Sequence, residues 1–500
     1  MINIDINLIL AIVFFTWHYS LFCGYISDDH AAVAQRVDII PDTEKVDRKE
    51  SFWVKRFNDG LVIFYLNRLF WALGFKSAPF PWHSFSLGIH LINTYLLYIL
   101  LLPILGHSAV YACAFWAVNP MLNQNVVWIS GRPYLLGALF ALISMLCWQS
   151  PYVFIPFYLL GVIINISIAF IPVLNWIIHP NEVISNVYLL PMIMMALPYI
   201  AWKFHMRFTN GLVIDRDNFL FKLRKINVFA KMILYYIWTL FVPVRMGWYH
   251  QAGFRYNNQW EKFNHLTLVG YILTIALLFF YKLPGLWFII CLLPMSNMFA
   301  TNSFLQDRYL YFPSIAIAMI IAPYLQQYPE LFYCVMTFYI TRSYMYSRHL
   351  KNDEMLYREN WRNHPKSDYA INNLAFFLIQ KGKFDEARVI IEQGLNIDRT
   401  NKMLWYNLGI THAAQGNFNS DEGKLRFIRA LDCWKTCLQI EPRWTKPAND
   451  LKKLIQLLVD NKVLSISPQE GGNSMEISIP NLTGVQEIIG GKVENINNGT

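Results

Sequence analysis

Residues 83–148 decide the fold: HSFSLGIHLINTYLLYILLLPILGHSAVYACAFWAVNPMLNQNVVWISGRPYLLGALFALISMLCW, in which Arg132 alone carries a formal charge. Working outward, no other Asp, Glu, Lys or Arg occurs between Lys76 and Glu182. An apolar run of that extent has room for several membrane spans of roughly 20 residues each. The rest of the chain agrees, with 55% hydrophobic and 15% charged residues among 500 and a mean hydropathy of +0.29. Soluble domains carry roughly 25% charged residues. These values exclude a disordered chain, a fibrous one and an ordinary soluble enzyme.

Charge-bounded apolar runs predict eleven spans, near 6–24, 82–102, 109–121, 133–149, 152–175, 186–203, 228–244, 264–281, 284–300, 309–327 and 329–344. The expected fold class is all-α. A polytopic helical membrane domain covers 1–344 and includes an outer loop over 25–81. A soluble helical-repeat domain follows over 345–460, then a partly disordered tail over 461–500. The second half of the outer loop, Ser51–Phe75, reads as an amphipathic helix lying in the interface plane. The first span has neither a basic flank nor a small-residue cleavage site after it, and reads as a retained anchor.

Loop charge sets the orientation. The 203–231 loop holds Lys203, Arg207, Arg216, Lys222, Arg224, Lys225 and Lys231 against Asp215 and Asp217, so it is expected in the cytoplasm. Counting spans from it places the N-terminus inside, and the loops 25–81, 119–132, 176–185, 245–263 and 301–308 outside, together with everything after about 345. The net charge of +9 fits inner loops and anionic lipid rather than nucleic acid. The outer loops nonetheless contain Arg132, Arg245, Arg255 and Arg308. One such arginine is an interfacial side chain snorkelling at a helix end. Several on one face suit an anionic ligand, since a guanidinium binds phosphate bidentately.

Candidate chemistry is sparse. Asp28-Asp29 follows the first span at the outer interface. In an extended segment neighbouring side chains point to opposite sides, so one carboxylate can serve as general base while the other faces a second group. Ser27-Asp28-Asp29 before Ala31-Ala32 equally suits a helix start. His83 and His90, seven apart, share a helix face and read as core or ligand histidines. Asn119–Asn125 is amide-rich for its depth, which requires burial in protein or a wet cavity. Trp128-Ile129-Ser130-Gly131-Arg132-Pro133 then turns the chain and aims Arg132 outward. No metal or nucleotide motif is present, so a divalent metal has no sequence support. Of seven cysteines, Cys433 and Cys437 lie one helical turn apart, which is neither metal-ligand spacing nor disulfide spacing.

Beyond 345 two segments repeat. Asn373-Leu374-Ala375, Gly382, Ala387, Ile391 and Gly394 are echoed by Asn407-Leu408-Gly409, Gly416, Ala430, Trp434 and Cys437. These are tetratricopeptide (TPR) helix-pair signatures, the second with an insertion around 419–427 and a capping helix expected over 443–460. Short strands are expected at Met475–Ile479 and Glu487–Val493.

Asp28-Asp29, Trp128–Arg132, Leu293-Pro294-Met295-Ser296-Asn297 and Asp307-Arg308-Tyr309-Leu310-Tyr311-Phe312-Pro313-Ser314 occur in this order, with TPRs after the last span. Together they resemble the TMTC-type protein O-mannosyltransferases and their bacterial relatives, of the GT-C fold. The resemblance implies an inverting transfer of a sugar from a polyprenyl- or dolichyl-phosphate carrier to Ser or Thr hydroxyls of a protein, on the outer face, with the TPRs guiding the acceptor. It implies Asp28 as base, Asp29 as its partner, and Arg132 and Arg308 at the lipid phosphate. Arg245, His83 and His90 are further donor-binding candidates, and no cofactor is implied beyond the lipid-linked donor. Asn119 and Gln124 stand where the family usually has His and Glu, Asn165-Ile166-Ser167 replaces a Ser-Lys-Glu-like motif, and Asp59-Gly60-Leu61 replaces Arg-Pro-Leu. These departures motivate an alternative, a non-catalytic membrane-anchored TPR scaffold retaining a degenerate GT-C domain. A transporter is disfavoured because no inverted repeat is visible. A bacterial inner membrane is the favoured location, with the ER membrane as the alternative.

Overall fold

The computed structural model describes residues 4–30, 61–75, 78–179, 191–201, 224–248, 262–295, 305–468 and 475–478. The described residues are helical apart from one pair of short antiparallel strands, and the chain divides into two compact units, Met1–His364 and Pro365–Thr500.

The first unit contains α1 (Ile6–Trp17), α2 (Leu61–Ala72), α3 (Pro79–Leu105), α4 (Ser108–Ala117), the single turn α5 (Asn123–Val126), α6 (Arg132–Leu146), α7 (Pro151–Ile164) and α8 (Ile171–Ile178). It continues with α9 (Pro191–Ala201), then α10 (Arg224–Phe241), α11 (His265–Phe280), α12 (Lys282–Leu292), α13 (Ser314–Gln327), α14 (Pro329–His349) and the polar α15 (Asp353–Asn363). Among the described residues two helices, Pro79–Leu105 and Ile129–Leu146, are long and apolar enough to cross a membrane, and others are apolar over 10–17 residues. On α11 the side chains of Ile272, Ile275, Phe279 and Phe280 are exposed, an apolar surface of the kind that marks an interaction face.

Local chemistry explains the breaks. The expected span 152–175 is two helices, because Asn165 leaves the helical conformation and its side chain accepts from Ser167 N at 3.1 Å, starting a 3₁₀ turn over Ile166–Phe170. Pro172 sits in the first turn of α8, where a missing N–H costs nothing. The expected span 109–121 stops at Ala117, since Asn119 is extended before Pro120 and its side chain caps Met121 N at 3.0 Å.

Buried polar bonds fix the centre of this unit. His90 of α3 reaches Tyr311 Oη at 2.7 Å and Ala117 O at 2.9 Å. Trp17 Nε1 donates to Ala117 O at 2.8 Å and Trp116 Nε1 to Tyr311 O at 2.9 Å. A buried polar group must find a partner, so these bonds set α1, α3 and α4 in one arrangement around Tyr311.

The second unit comprises α16 (Asp368–Gln380), α17 (Phe384–Ile397), α18 (Lys402–Gln415), α19 (Asp421–Ile440) and α20 (Thr445–Asp460). Ser367, Asn401 and Ser420 cap their helices by accepting backbone N–H bonds. Gly382, at φ +72°, makes the turn between α16 and α17. Ala387, Ile391 and Gly394 are buried, and so are Ala430, Trp434 and Cys437 at the matching offsets. A Cβ on Gly394 would stand 2.6 Å from Leu404 Cδ1, and one on Gly409 would strike the Trp434 indole. The expected insertion at 419–427 lies mostly in a longer helix: α19 has 20 residues where α17 has 14. Strand β1 (Ser465–Pro468) pairs antiparallel with β2 (Met475–Ser478). Residues 51–60, the 203–223 part of the basic loop, Arg255, Ser296-Asn297 and the expected strand 487–493 lie outside the described residues.

Candidate active site

The site begins where α1 gives way to a short 3₁₀ turn, His18–Phe22, and the chain becomes extended. Ser27 sits at φ +53°, in the left-handed region that non-glycine residues rarely occupy. That turn splits the acidic pair. Asp28 is exposed, and Asp29 is fully buried. Asp29 Oδ1 accepts from Ser130 N at 2.9 Å and from Ser130 Oγ at 2.6 Å, and Oδ2 accepts from Ile26 N at 3.3 Å. Burial lifts the Asp29 carboxyl to about 6, partly offset by the Ser130 and Ile26 bonds and by the charge of Arg132.

Ser130 belongs to a 3₁₀ turn, Ile129–Gly131, just ahead of α6. Gly131 is required there, because a Cβ would meet Gln124 O at 2.5 Å. Arg132 opens α6 and turns inward, with 1% of its surface exposed. Its Nε donates to Ile129 O at 2.8 Å, its Nη2 to Asn67 Oδ1 at 2.7 Å, and its guanidinium lies 4.8 Å from the Trp82 ring centre. Asn67 comes from α2, whose Phe64, Phe70 and Trp71 are buried while Arg68 is exposed.

Beside Ser130 opens a cavity of about 270 Å³, walled by Trp128, Ser130, Tyr134, Asn165 and Arg308 together with apolar side chains of 162–166 and Met295. Arg308 lies 5.4 Å from the Trp128 ring and 5.7 Å from the Tyr309 ring. Its backbone is gripped on both sides: Arg308 N donates to Gln124 Oε1 at 3.0 Å, and Asn125 Nδ2 donates to Arg308 O at 3.0 Å. Buried Asp307 accepts from Gly247 N at 3.1 Å. Trp248 packs against Trp128 with the rings tilted by 43° and their centres 4.6 Å apart. Arg245 is exposed at the start of this same segment.

The structure therefore bonds Asp29 to Ser130 directly, holds Arg132 near enough for its charge to act on Asp29, and places Arg308 with Ser130 at one cavity. Arg132, His83 and His90 are not among the cavity-lining residues. His83 and His90 are both buried in α3, where His90 is committed to Tyr311 and Ala117. Among the described residues no three His, Cys, Asp or Glu side chains gather as a metal site. Ser130, Asn67 and Gln124 emerge as residues holding the site. Ser130 and Gln124 had a visible signal in the 119–133 segment, whereas Asn67 had none.

With the geometry in place, comparison with known proteins adds a partial likeness. The chain is 27% identical over 154 residues to human protein O-mannosyl-transferase TMTC3, covering 28% of this chain and 16% of that protein. Mouse protein O-mannosyl-transferase TMTC3 is 26% identical over 154 residues. The chain thus spans about 16% of the length of these relatives. No family model matches the chain, and no solved structure does.

Proposed function

We propose that this protein is a polytopic membrane glycosyltransferase of the GT-C kind, moving a sugar from a polyprenyl- or dolichyl-phosphate carrier to Ser or Thr hydroxyls of a protein on the outer face of the membrane. One observation carries the reading. Asp29 of the acidic pair is bonded to Ser130 of the Trp128–Arg132 motif, at the wall of a cavity that also holds Arg308. Elements far apart in the chain thereby assemble a carboxylate pair, a cation and a recess with both polar and apolar walls.

In this reading transfer is a single displacement with inversion. The acceptor oxygen bonds to the anomeric carbon as the bond from that carbon to the phosphate oxygen breaks. Asp28, exposed and next to the anchored Asp29, takes the acceptor proton. Arg308, with Arg245 as a second cation, meets the charge left on the lipid phosphate. Arg132 balances buried Asp29 and fixes the turn that carries Ser130. The apolar part of the wall, from 162–166 and Met295, and the exposed apolar side chains of α11 suit a lipid-borne donor and a membrane setting. The helix repeats of the second unit, taken as TPRs, guide the protein acceptor.

The scaffold alternative draws on Asn119 and Gln124. Both have work in this fold: Asn119 caps Met121, and Gln124 holds the backbone of Arg308. Their presence is therefore compatible with a maintained site. Replacing Asp28 and Asp29 singly by Asn and following the mass of acceptor proteins tests the proposal. Each variant is expected to lose transfer by roughly 10²-fold or more; unchanged glycosylation in both would overturn the reading in favour of the scaffold.

A further inference from the structure

The acidic loop is held from a second side, by residues that follow the last apolar helix. Asp353, the first residue of α15, accepts from Ser27 N at 2.7 Å through Oδ1 and contacts His30 Nε2 at 2.7 Å through Oδ2. These two partners flank Asp28-Asp29. Gly24 N donates to Lys351 O at 3.0 Å, and Cys23 Sγ lies 3.8 Å from Ser347 O. The segment 23–30, extended to Ile26 and turning from Ser27, is thus bonded to residues of 347–353. Ser27 is also the residue at φ +53°, so the Asp353 bond falls on the backbone position that most needs support.

The same helix also holds the 246–248 segment. Asn360 Oδ1 accepts from Trp248 N at 2.8 Å, and Asn363 Nδ2 donates to Met246 O at 2.9 Å. Trp248 packs against Trp128, which lines the cavity beside Arg308. One polar helix is therefore bonded both to the acidic loop and to the segment behind the cavity aromatic.

We infer that α15 is a positioning strap for the candidate active site, with Asp353 the positioning residue that fixes the direction of Asp28. This rests on the transferase reading for its consequence, but not for its geometry. Asp29 is pinned by Ser130 and Ser27 by Asp353, so the residue between them is held from both sides while its own carboxylate stays exposed. Neither Asp353 nor Asn360 touches the cavity, so they act through the backbone they hold and not on the reacting atoms.

The test uses the full-length protein in nanodiscs, as wild type, Asp353→Ala, Asp353→Asn and Asn360→Ala. Hydrogen exchange of the 24–30 segment is measured beside transfer kinetics with dolichyl-phosphate mannose and a Ser/Thr peptide. Asp353→Ala is expected to speed exchange of 24–30 and to lower kcat on the order of tenfold or more, with KM for the donor within about twofold. Asp353→Asn keeps an acceptor for Ser27 N–H and is expected to recover most of both. Asn360→Ala is expected to loosen 246–248 and leave 24–30 unchanged. Unaltered exchange at 24–30 in Asp353→Ala overturns the inference, as does faster exchange with unchanged kcat. Equal loosening of 24–30 by Asn360→Ala also overturns it, because the effect is then general unfolding. A wild type that transfers no sugar from this donor or from a panel of other polyprenyl-phosphate sugars sinks the transferase reading, while the exchange measurement still decides whether Asp353 holds the loop.

Discussion

At the residue scale, Asp29 shows how burial and bonding compete. Its carboxyl accepts three N–H or O–H bonds, each of which favours the charged form, yet full burial outweighs them and lifts it from 3.8 to about 6. The consequence for stability has a definite sign. Between about 4 and 6 the folded protein keeps a proton on Asp29 that the unfolded chain releases, so this group's contribution falls as pH rises through that window and stays unfavourable above it. The shift of about two units corresponds to roughly 3 kcal/mol. The facing groups are Tyr25 and Arg132, and Arg132 works against the shift. Asp29→Asn removes the titration and keeps an acceptor for Ser130 N–H. Its thermal midpoint, compared with that of wild type at pH 5 and at pH 8, is expected to gain relative stability at the higher pH; a wild-type-to-variant difference that does not change between the two would contradict this.

At the scale of elements, the turn Ile129–Gly131 carries the site, and Gly131 carries the turn. Alanine there places a Cβ 2.5 Å from Gln124 O, and backbone on backbone cannot yield as a flexible side chain does. Gln124 also holds Arg308 N, so the collision reaches both walls of the cavity. Gly131→Ala is expected to cost about 1–3 kcal/mol and to abolish most transfer, checked by thermal unfolding beside activity. This turn was legible in the sequence as a Gly-Arg-Pro punctuation in an apolar run, and Asp28-Asp29 was legible as an acidic pair directly after the first span. Other features were not. Apolar composition does not reveal that Asn165 will cap a new turn and split a helix, because the hydrophobic run continues through it. Arg132 reads from spacing as an outward cation, but Asn67 and Trp82 fold around it and turn it inward. Asp353 lies 323 residues beyond His30 and looks in sequence like an ordinary acidic residue in the first turn of a helix. Only the packing of α14 and α15 brings it to the loop.

At the scale of the whole molecule, the arrangement of charge makes a claim about sidedness. Asp28, Arg245 and Arg308 belong to segments expected outside, whereas the Lys- and Arg-rich 203–231 loop is expected inside. The chemistry needs this separation, because acceptor hydroxyl, base and lipid phosphate must share one aqueous face. Membrane-impermeant maleimide reads it directly. Cys334 is exposed, so it is first replaced by Ser, leaving cysteines that are buried or half-buried. In that background Asp28→Cys and Arg245→Cys are expected to label from the outer side of intact cells or of right-side-out vesicles. Lys222→Cys is expected to label only after the membrane is opened. Labelling of residues 28 and 222 from the same side would break the span count between them, and labelling of 28 from the inner side alone would place the acidic pair away from any outer-face acceptor. The first outcome revises the topology and spares the site, since the Asp29–Ser130 bonds and the Arg132–Ile129 bond do not depend on it. The second removes the transferase reading on the outer face, because a carboxylate on the inner side cannot take a proton from an acceptor that is presented outside.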